Sequence, residues 1–134
     1  MINSIIHHLG IALVDVRTGE EFFDRLFLGY LGMDKERTTE AAAAWKGRGS
    51  RICLYPLRVG AVPGALQHLA FTARSAGEVD AFPAWAVRNG IVITTAPRLY
   101  LEYGADYYAV FFSGPERLRL ELVYLSEPDG AQAL

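Results

Sequence analysis

Tyr107-Tyr108-Ala109-Val110-Phe111-Phe112-Ser113, the break Gly114-Pro115-Glu116, and Leu118-Arg119-Leu120-Glu121-Leu122-Val123-Tyr124 decide the fold. Two runs rich in β-branched, aromatic and leucine residues flank a Gly-Pro turn, which predicts a hairpin of strands over 107–113 and 117–125. Side chains alternate across a strand with period 2. Leu118, Leu120, Leu122 and Tyr124 therefore share one face, and Arg119, Glu121 and Val123 share the other. A glutamate between leucines is poor filler. If it is not solvated it needs a partner or a metal.

The same alternation recurs upstream. In 8–14, Leu9, Ile11 and Leu13 oppose His8, Gly10, Ala12 and Val14. In 51–55, Ile52 and Leu54 oppose Arg51, Cys53 and Tyr55; in 68–72, Leu69 and Phe71 oppose His68, Ala70 and Thr72. Each strand has one aliphatic face to pack under helices. Each second face carries one reactive side chain among small or polar ones. If those second faces curve toward each other, His8, Cys53, His68 and Glu121 line a common cleft. Two imidazoles and a carboxylate on rigid strands suit a divalent ion such as iron, manganese, nickel, cobalt or zinc, with positions left for substrate or water. His7 falls on the face opposite His8, and a one-residue register slip would exchange them. Cys53 reads as a small buried hydrophobe more readily than as a ligand.

The halves repeat. His8-Leu9-Gly10-Ile11-Ala12 is matched by His68-Leu69-Ala70-Phe71-Thr72. Each is followed by a capping-box pattern, Thr18-Gly19-Glu20-Glu21 and Ser75-Ala76-Gly77-Glu78, then by a helical stretch ending near Gly32 or Gly90. Each half closes on an apolar–X–apolar strand, Ile52-Cys53-Leu54 and Leu120-Glu121-Leu122. The expectation is a duplicated unit of about 60 residues. The first unit spans about 5–57: a strand over 5–14, a helix over 19–31 with Phe22, Phe23, Leu26, Phe27 and Tyr30 on one side, then strands over 34–39, 41–46 and 51–57. The Ala41–Ala44 run is equally helical by propensity. Residues 58–65 read as a linker. The second unit spans about 66–125: a strand over 67–73, a helix over 76–89 kinked or shortened by Pro83, extended segments over 91–95 and 98–103 split by Pro97, and the hairpin. The tail after Ser126 reads as loose.

The chain has 134 residues, 51% hydrophobic and 21% charged, which is one globular domain and not a disordered segment. A net charge of −2 argues against nucleic-acid binding by a basic surface. One cysteine excludes an intrachain disulfide, and no apolar run approaches the roughly 20 residues of a membrane span. The N-terminus lacks a positive region before its apolar stretch, so no signal peptide is read. A cytoplasmic protein without membrane or nucleic-acid partners is the expectation.

These residues resemble the vicinal oxygen chelate superfamily, whose members include glyoxalase I, extradiol dioxygenases, fosfomycin-resistance proteins and bleomycin-resistance proteins. The resemblance spans about residues 5–125, most specifically Tyr107–Phe112 with Leu118–Leu122, then His68-Leu69-Ala70-Phe71. It implies an α+β, glyoxalase-like fold: tandem βαβββ units forming a curved, partly open mixed β-sheet cup with helices outside. Carried over by position, His8, His68 and Glu121 match the three metal ligands of the metal-dependent members. Glyoxalase I adds a glutamate where this chain has Cys53. Fosfomycin-resistance proteins are similar in their Ile/Leu-Cys-Leu-type strand there, but their usual histidine after the last glutamate region is replaced by Val123-Tyr124. The family's Asp-Pro-Asp-Gly turn is Ser113-Gly114-Pro115-Glu116.

The leading expectation is a metal-dependent enzyme, of lyase, isomerase, thiol-transferase or dioxygenase type, acting on a small vicinal-oxygen substrate. Glu121 would be ligand and proton carrier. Cys53, Arg98, Tyr100, Tyr107 and Arg119 are candidate substrate-binding residues, with Tyr103 beside them; each also fits an ordinary amphipathic strand surface. Trp45 and Trp85 read as packing residues. The alternative is a metal-free small-molecule or antibiotic-binding protein like the bleomycin-resistance members. A third is a dimerising accessory domain. The resemblance implies a homodimer.

Overall fold

The computed structural model describes residues 6–38, 41–58, 66 and 68–126. The chain divides into two units, Met1–Gly64 and Ala65–Leu134. In the first, β1 (Leu9–Leu13) leads into helix α1 (Val16–Phe23), which runs on as a π-helical segment (Asp24–Tyr30). Three strands follow: β2 (Asp34–Glu36), β3 (Ala43–Gly47) and β4 (Ser50–Pro56). The second has β5 (Leu69–Thr72), α2 (Ala76–Arg88), β6 (Ile93–Leu99), β7 (Tyr108–Ser113) and β8 (Arg119–Tyr124). The sheets share one strand order, β1-β4-β3-β2 and β5-β8-β7-β6. In each, the first strand lies parallel to the last and the other pairs are antiparallel. The tandem βαβββ, α+β architecture expected from sequence is present. The proposed linker over 58–65 and the tail after Ser126 lie almost wholly outside the described residues.

Aromatic residues from each helix lock it to its own sheet. In the first unit Phe23 and Phe27 stack with ring centres 5.0 Å apart, and Phe27 meets Trp45 edge-on at 5.3 Å. Trp45 is fully buried, and its indole N–H donates to Asp24 at 2.9 Å, so the indole has a partner for its only donor. In the second unit Val79, Phe82 and Ala86 form the buried stripe of α2, and Phe82 packs on Phe112 at 4.6 Å. Among the described residues, no helix is long and apolar enough to cross a membrane.

Several local expectations change. The cap of α1 is Asp15, not Thr18: its carboxylate accepts from the Thr18 N–H at 3.1 Å and the Thr18 hydroxyl at 2.7 Å. Aspartate is among the best N-caps, and its position starts the helix three residues before the expected one. Ser75 caps α2 as expected, accepting from the Glu78 N–H at 3.0 Å, while Glu78 reaches back to the Arg74 N–H at 2.8 Å. The Ala41–Ala44 run enters a strand because Ala43 and Ala44 pair with Leu54 and Cys53, and tertiary pairing overrides weak propensity. Helix α2 continues through Pro83, held by its buried stripe. Pro97 does not split the chain into two segments. It sits within β6, an edge strand with register shifts on either side of Thr95, and edges and bulges are where proline is tolerated in sheets.

Gly32 (φ 69°) and Gly90 (φ 71°) adopt left-handed geometry just past the helical segments. Arg48 and Gly49, both with positive φ, form the two-residue turn between β3 and β4.

Candidate functional site

Glu121 lies in the middle of β8, between Ala70 of β5 and Phe111 of β7 in the strand register. The alternation that set it apart in the sequence puts it on the face away from Leu120 and Leu122. Its side chain is 1% exposed. A short segment explains the burial: after β6 the chain folds back, with the Tyr103 N–H donating to the Tyr100 carbonyl at 3.0 Å and the Tyr100 N–H to the Tyr107 carbonyl at 2.7 Å. Tyr100 packs with Ala109 and Val123, and Tyr107, Phe111 and Leu125 close around them. The expected extended segment over 98–103 thus ends at Leu99, and the tyrosines beyond it cover the Glu121 face of the sheet.

The two oxygens of Glu121 have different neighbours. The Tyr107 hydroxyl donates to Oε2 in a short hydrogen bond. Oε1 lies 3.6 Å from Nε2 of His68, a side chain 39% exposed at the mouth of β5. One oxygen is therefore anchored inside the sheet's cover and the other is directed to an accessible imidazole.

In the first unit, Cys53 is buried between Gly10 and Ala44 in register. His8 is exposed just before β1, with its Nδ1 2.9 Å from that of His7. Arg51, on the same face as Cys53, pairs with Glu36 at 2.9 Å. The structure thus brings together His68 and Glu121 of the expected ligand set within the second unit; His8 belongs to the first. Among the described residues, no three or more of histidine, cysteine, aspartate and glutamate form a group able to hold an ion.

The His68–Glu121 pair itself fits a metal. Nitrogen and oxygen ligands bonded at about 2.0–2.2 Å stand roughly 3.0–3.5 Å apart around one ion, so the observed 3.6 Å needs a shift of tenths of an ångström. The Tyr107 hydroxyl bond is the kind of outer contact that orients a ligating carboxylate.

A pocket of about 440 Å³ opens in the second unit, lined by Thr95, Tyr100, Tyr103, Phe111, Ser113 and Arg119 among others. Of the expected substrate-binding residues, Tyr100 and Arg119 line it. Tyr107 is engaged with Glu121. The Arg98 guanidinium lies 3.8 Å over the Tyr100 ring and 3.5 Å from Glu102. Thr95, Phe111 and Ser113 escaped sequence reasoning. The signal was the hairpin register: Ser113 pairs with Arg119, Phe111 with Glu121 and Thr95 with Phe111.

Neither a protein-family model nor a curated protein sequence matches the chain. Solved structures do. A candidate glyoxalase from Bacillus halodurans superposes with a TM-score of 0.73 at 24% identity, covering 92% of this chain and 97% of that one. A glyoxalase/bleomycin resistance protein from Albidiferax ferrireducens T118 gives 0.70 at 20% identity, covering 91% and 99%. Lactoylglutathione lyase from Agrobacterium tumefaciens gives 0.67 at 16% identity, covering 90% and 93%. These likenesses show the fold of this chain.

Proposed function

We propose that this chain, which has the fold of the glyoxalase/bleomycin resistance/dioxygenase proteins, is a divalent-metal-dependent enzyme acting on a small molecule with adjacent oxygens. The observation that carries the proposal is the placement of Glu121, a carboxylate 1% exposed with one oxygen anchored by Tyr107 and the other 3.6 Å from His68. Burying a charge is costly unless it is paired or coordinates a metal, and a tyrosine hydroxyl alone compensates it in part.

His68, Glu121 and His8 are the residues that would hold the ion. When bound, the ion supplies Lewis acidity, polarising substrate oxygens and stabilising developing negative charge. Tyr107 orients Glu121 by holding Oε2. Oε1, the oxygen nearer His68, would accept a substrate proton when it is not held by the ion. Arg119 and Ser113, adjacent across β7 and β8, would bind and orient the substrate's polar end. Tyr100, Tyr103 and Phe111 would exclude water from its remainder. Three such ligands fit isomerisation, thiol transfer and ring cleavage alike. The reading extends to a homodimer in the cytoplasm, for which light scattering is the check on assembly.

A second reading is a metal-free small-molecule-binding protein. It is favoured by the hydroxyl that already binds one oxygen of Glu121 and by the aromatic pocket.

Metal content of the purified, tag-free protein, measured by mass spectrometry beside His8→Ala and Glu121→Ala, separates the two. About one ion per chain, lost in both variants, supports the enzyme. No ion after reconstitution with several divalent metals overturns it in favour of the binding protein.

A further inference from the structure

We infer that the pocket lined by Tyr103, Phe111 and Arg119 takes a planar aromatic carboxylate, with its ring against Tyr103 and Phe111 and its carboxylate on Arg119. This names a substrate class for the proposed enzyme and rests on that proposal only in taking the ligand for a substrate.

The ring is argued from the walls. Tyr100 is buried and meets Phe111 edge-on at 5.5 Å with planes at 75°; it stacks with Tyr103 at 5.6 Å and 13°. Tyr100 thus fixes the other two, and Tyr103 still leaves 63% of its surface uncovered. An aromatic ring held rigidly by another and open to solvent is surface available for stacking.

The charge is argued from the opposite end. Arg119 is the charged side chain lining the pocket. It is exposed and makes no ion pair among the described residues. Ser113 stands directly across from it. One guanidinium beside one hydroxyl suits a carboxylate, which accepts two parallel bonds from a guanidinium. Alternate residues of a strand lie about 7 Å apart, so Phe111 and Ser113 set ring and carboxylate at a separation that favours a bicyclic acid over a single ring.

The test is calorimetric titration of the whole protein with 2-naphthoate, 2-naphthylmethanol and cyclohexanecarboxylate, before and after metal removal by chelator. Naphthoate should bind saturably in both states and more tightly than either analogue. Arg119→Gln, at an exposed position, should weaken naphthoate roughly tenfold or more and leave the alcohol unchanged. Tyr103→Ala should weaken both naphthalenes several-fold. Equal binding of cyclohexanecarboxylate overturns the aromatic assignment, an unaffected Arg119→Gln overturns the carboxylate assignment, and no binding by any probe overturns the whole. Naphthoate bound by a protein that takes up no metal overturns the enzyme proposal and sustains this one; metal taken up without naphthoate binding does the reverse.

Discussion

Cys53 and Glu121 occupy the same position in two copies of one frame. Cys53 sits between Gly10 and Ala44, and Glu121 between Ala70 and Phe111, each on the strand that lies parallel to the first of its unit. The neighbours explain the difference in chemistry. Gly10 and Ala44 offer Cys53 no polar side chain in register, and a buried thiol needs none. Glu121 has the Tyr107 hydroxyl and His68.

The two positions should respond oppositely to substitution. Cys53→Ala should leave metal uptake unchanged, and Glu121→Gln should abolish it. In the metal-free protein Glu121→Gln should be as stable as the parent or more so, because the amide oxygen still accepts from Tyr107 and a desolvated charge is gone. Melting curves with and without added metal check this: the parent's Tm rises on binding, and that of the variant stays fixed.

Tyr107→Phe removes the donor to Oε2 and leaves a buried carboxylate oxygen short of its partner. A loss of about 1–3 kcal/mol in urea unfolding is expected. Metal affinity should fall roughly 10–100-fold, as for outer contacts that orient a ligand. Unchanged affinity in a direct metal titration would remove Tyr107 from its positioning role.

Gly19→Ala tests how closely α1 lies on its sheet. A Cβ at Gly19 would stand 2.3 Å from Cδ1 of Leu13 and 3.4 Å from Cδ2 of Leu54. Replacing glycine in a helix gains about 0.5–1 kcal/mol in backbone entropy. Overpacking costs about 1–3 kcal/mol, and the Leu13 methyl can move only within a core already filled by Phe23 and Leu54. The net expectation is destabilisation by about 1 kcal/mol, read from denaturant unfolding.

Asp15→Ala removes the cap of α1 and should lower the Tm by a few degrees at neutral pH. The Thr18 hydroxyl, and then the Thr18 backbone N–H, hold the Asp15 carboxyl below its ordinary value in the folded chain. A depressed carboxyl stabilises the fold above its unfolded pKa and loses that contribution as pH falls through the folded one. The Tm difference between parent and variant should therefore shrink only in acid, below the usual carboxylate range. A difference that already vanishes between pH 5 and 7 would refute the cap.

The frame was legible because it is written in short-range signals. The Ser75–Glu78 box, the glycines after each helix and the period-2 alternation around Glu121 each act within a few residues. Thr18 misled because it does belong to the cap, as the group that donates to Asp15 and not as the acceptor. The stretch from Tyr100 to Tyr107 misled because tyrosines favour strands, and nothing local shows that the chain folds back over the sheet. The polar residues of the site could be picked out by their parity on single strands. Thr95, Phe111 and Ser113 could not, since their place depends on which residue faces them across a neighbouring strand.

The irregular outer strand β6 carries one more consequence. Its unpaired side would be an open template on which another chain could add as a strand. Pro97 removes one donor from that strand, and the shifts around Thr95 break the even spacing that an incoming strand must match. The pocket wall that Thr95 supplies therefore lies on an edge whose irregularity disfavours the addition of another strand.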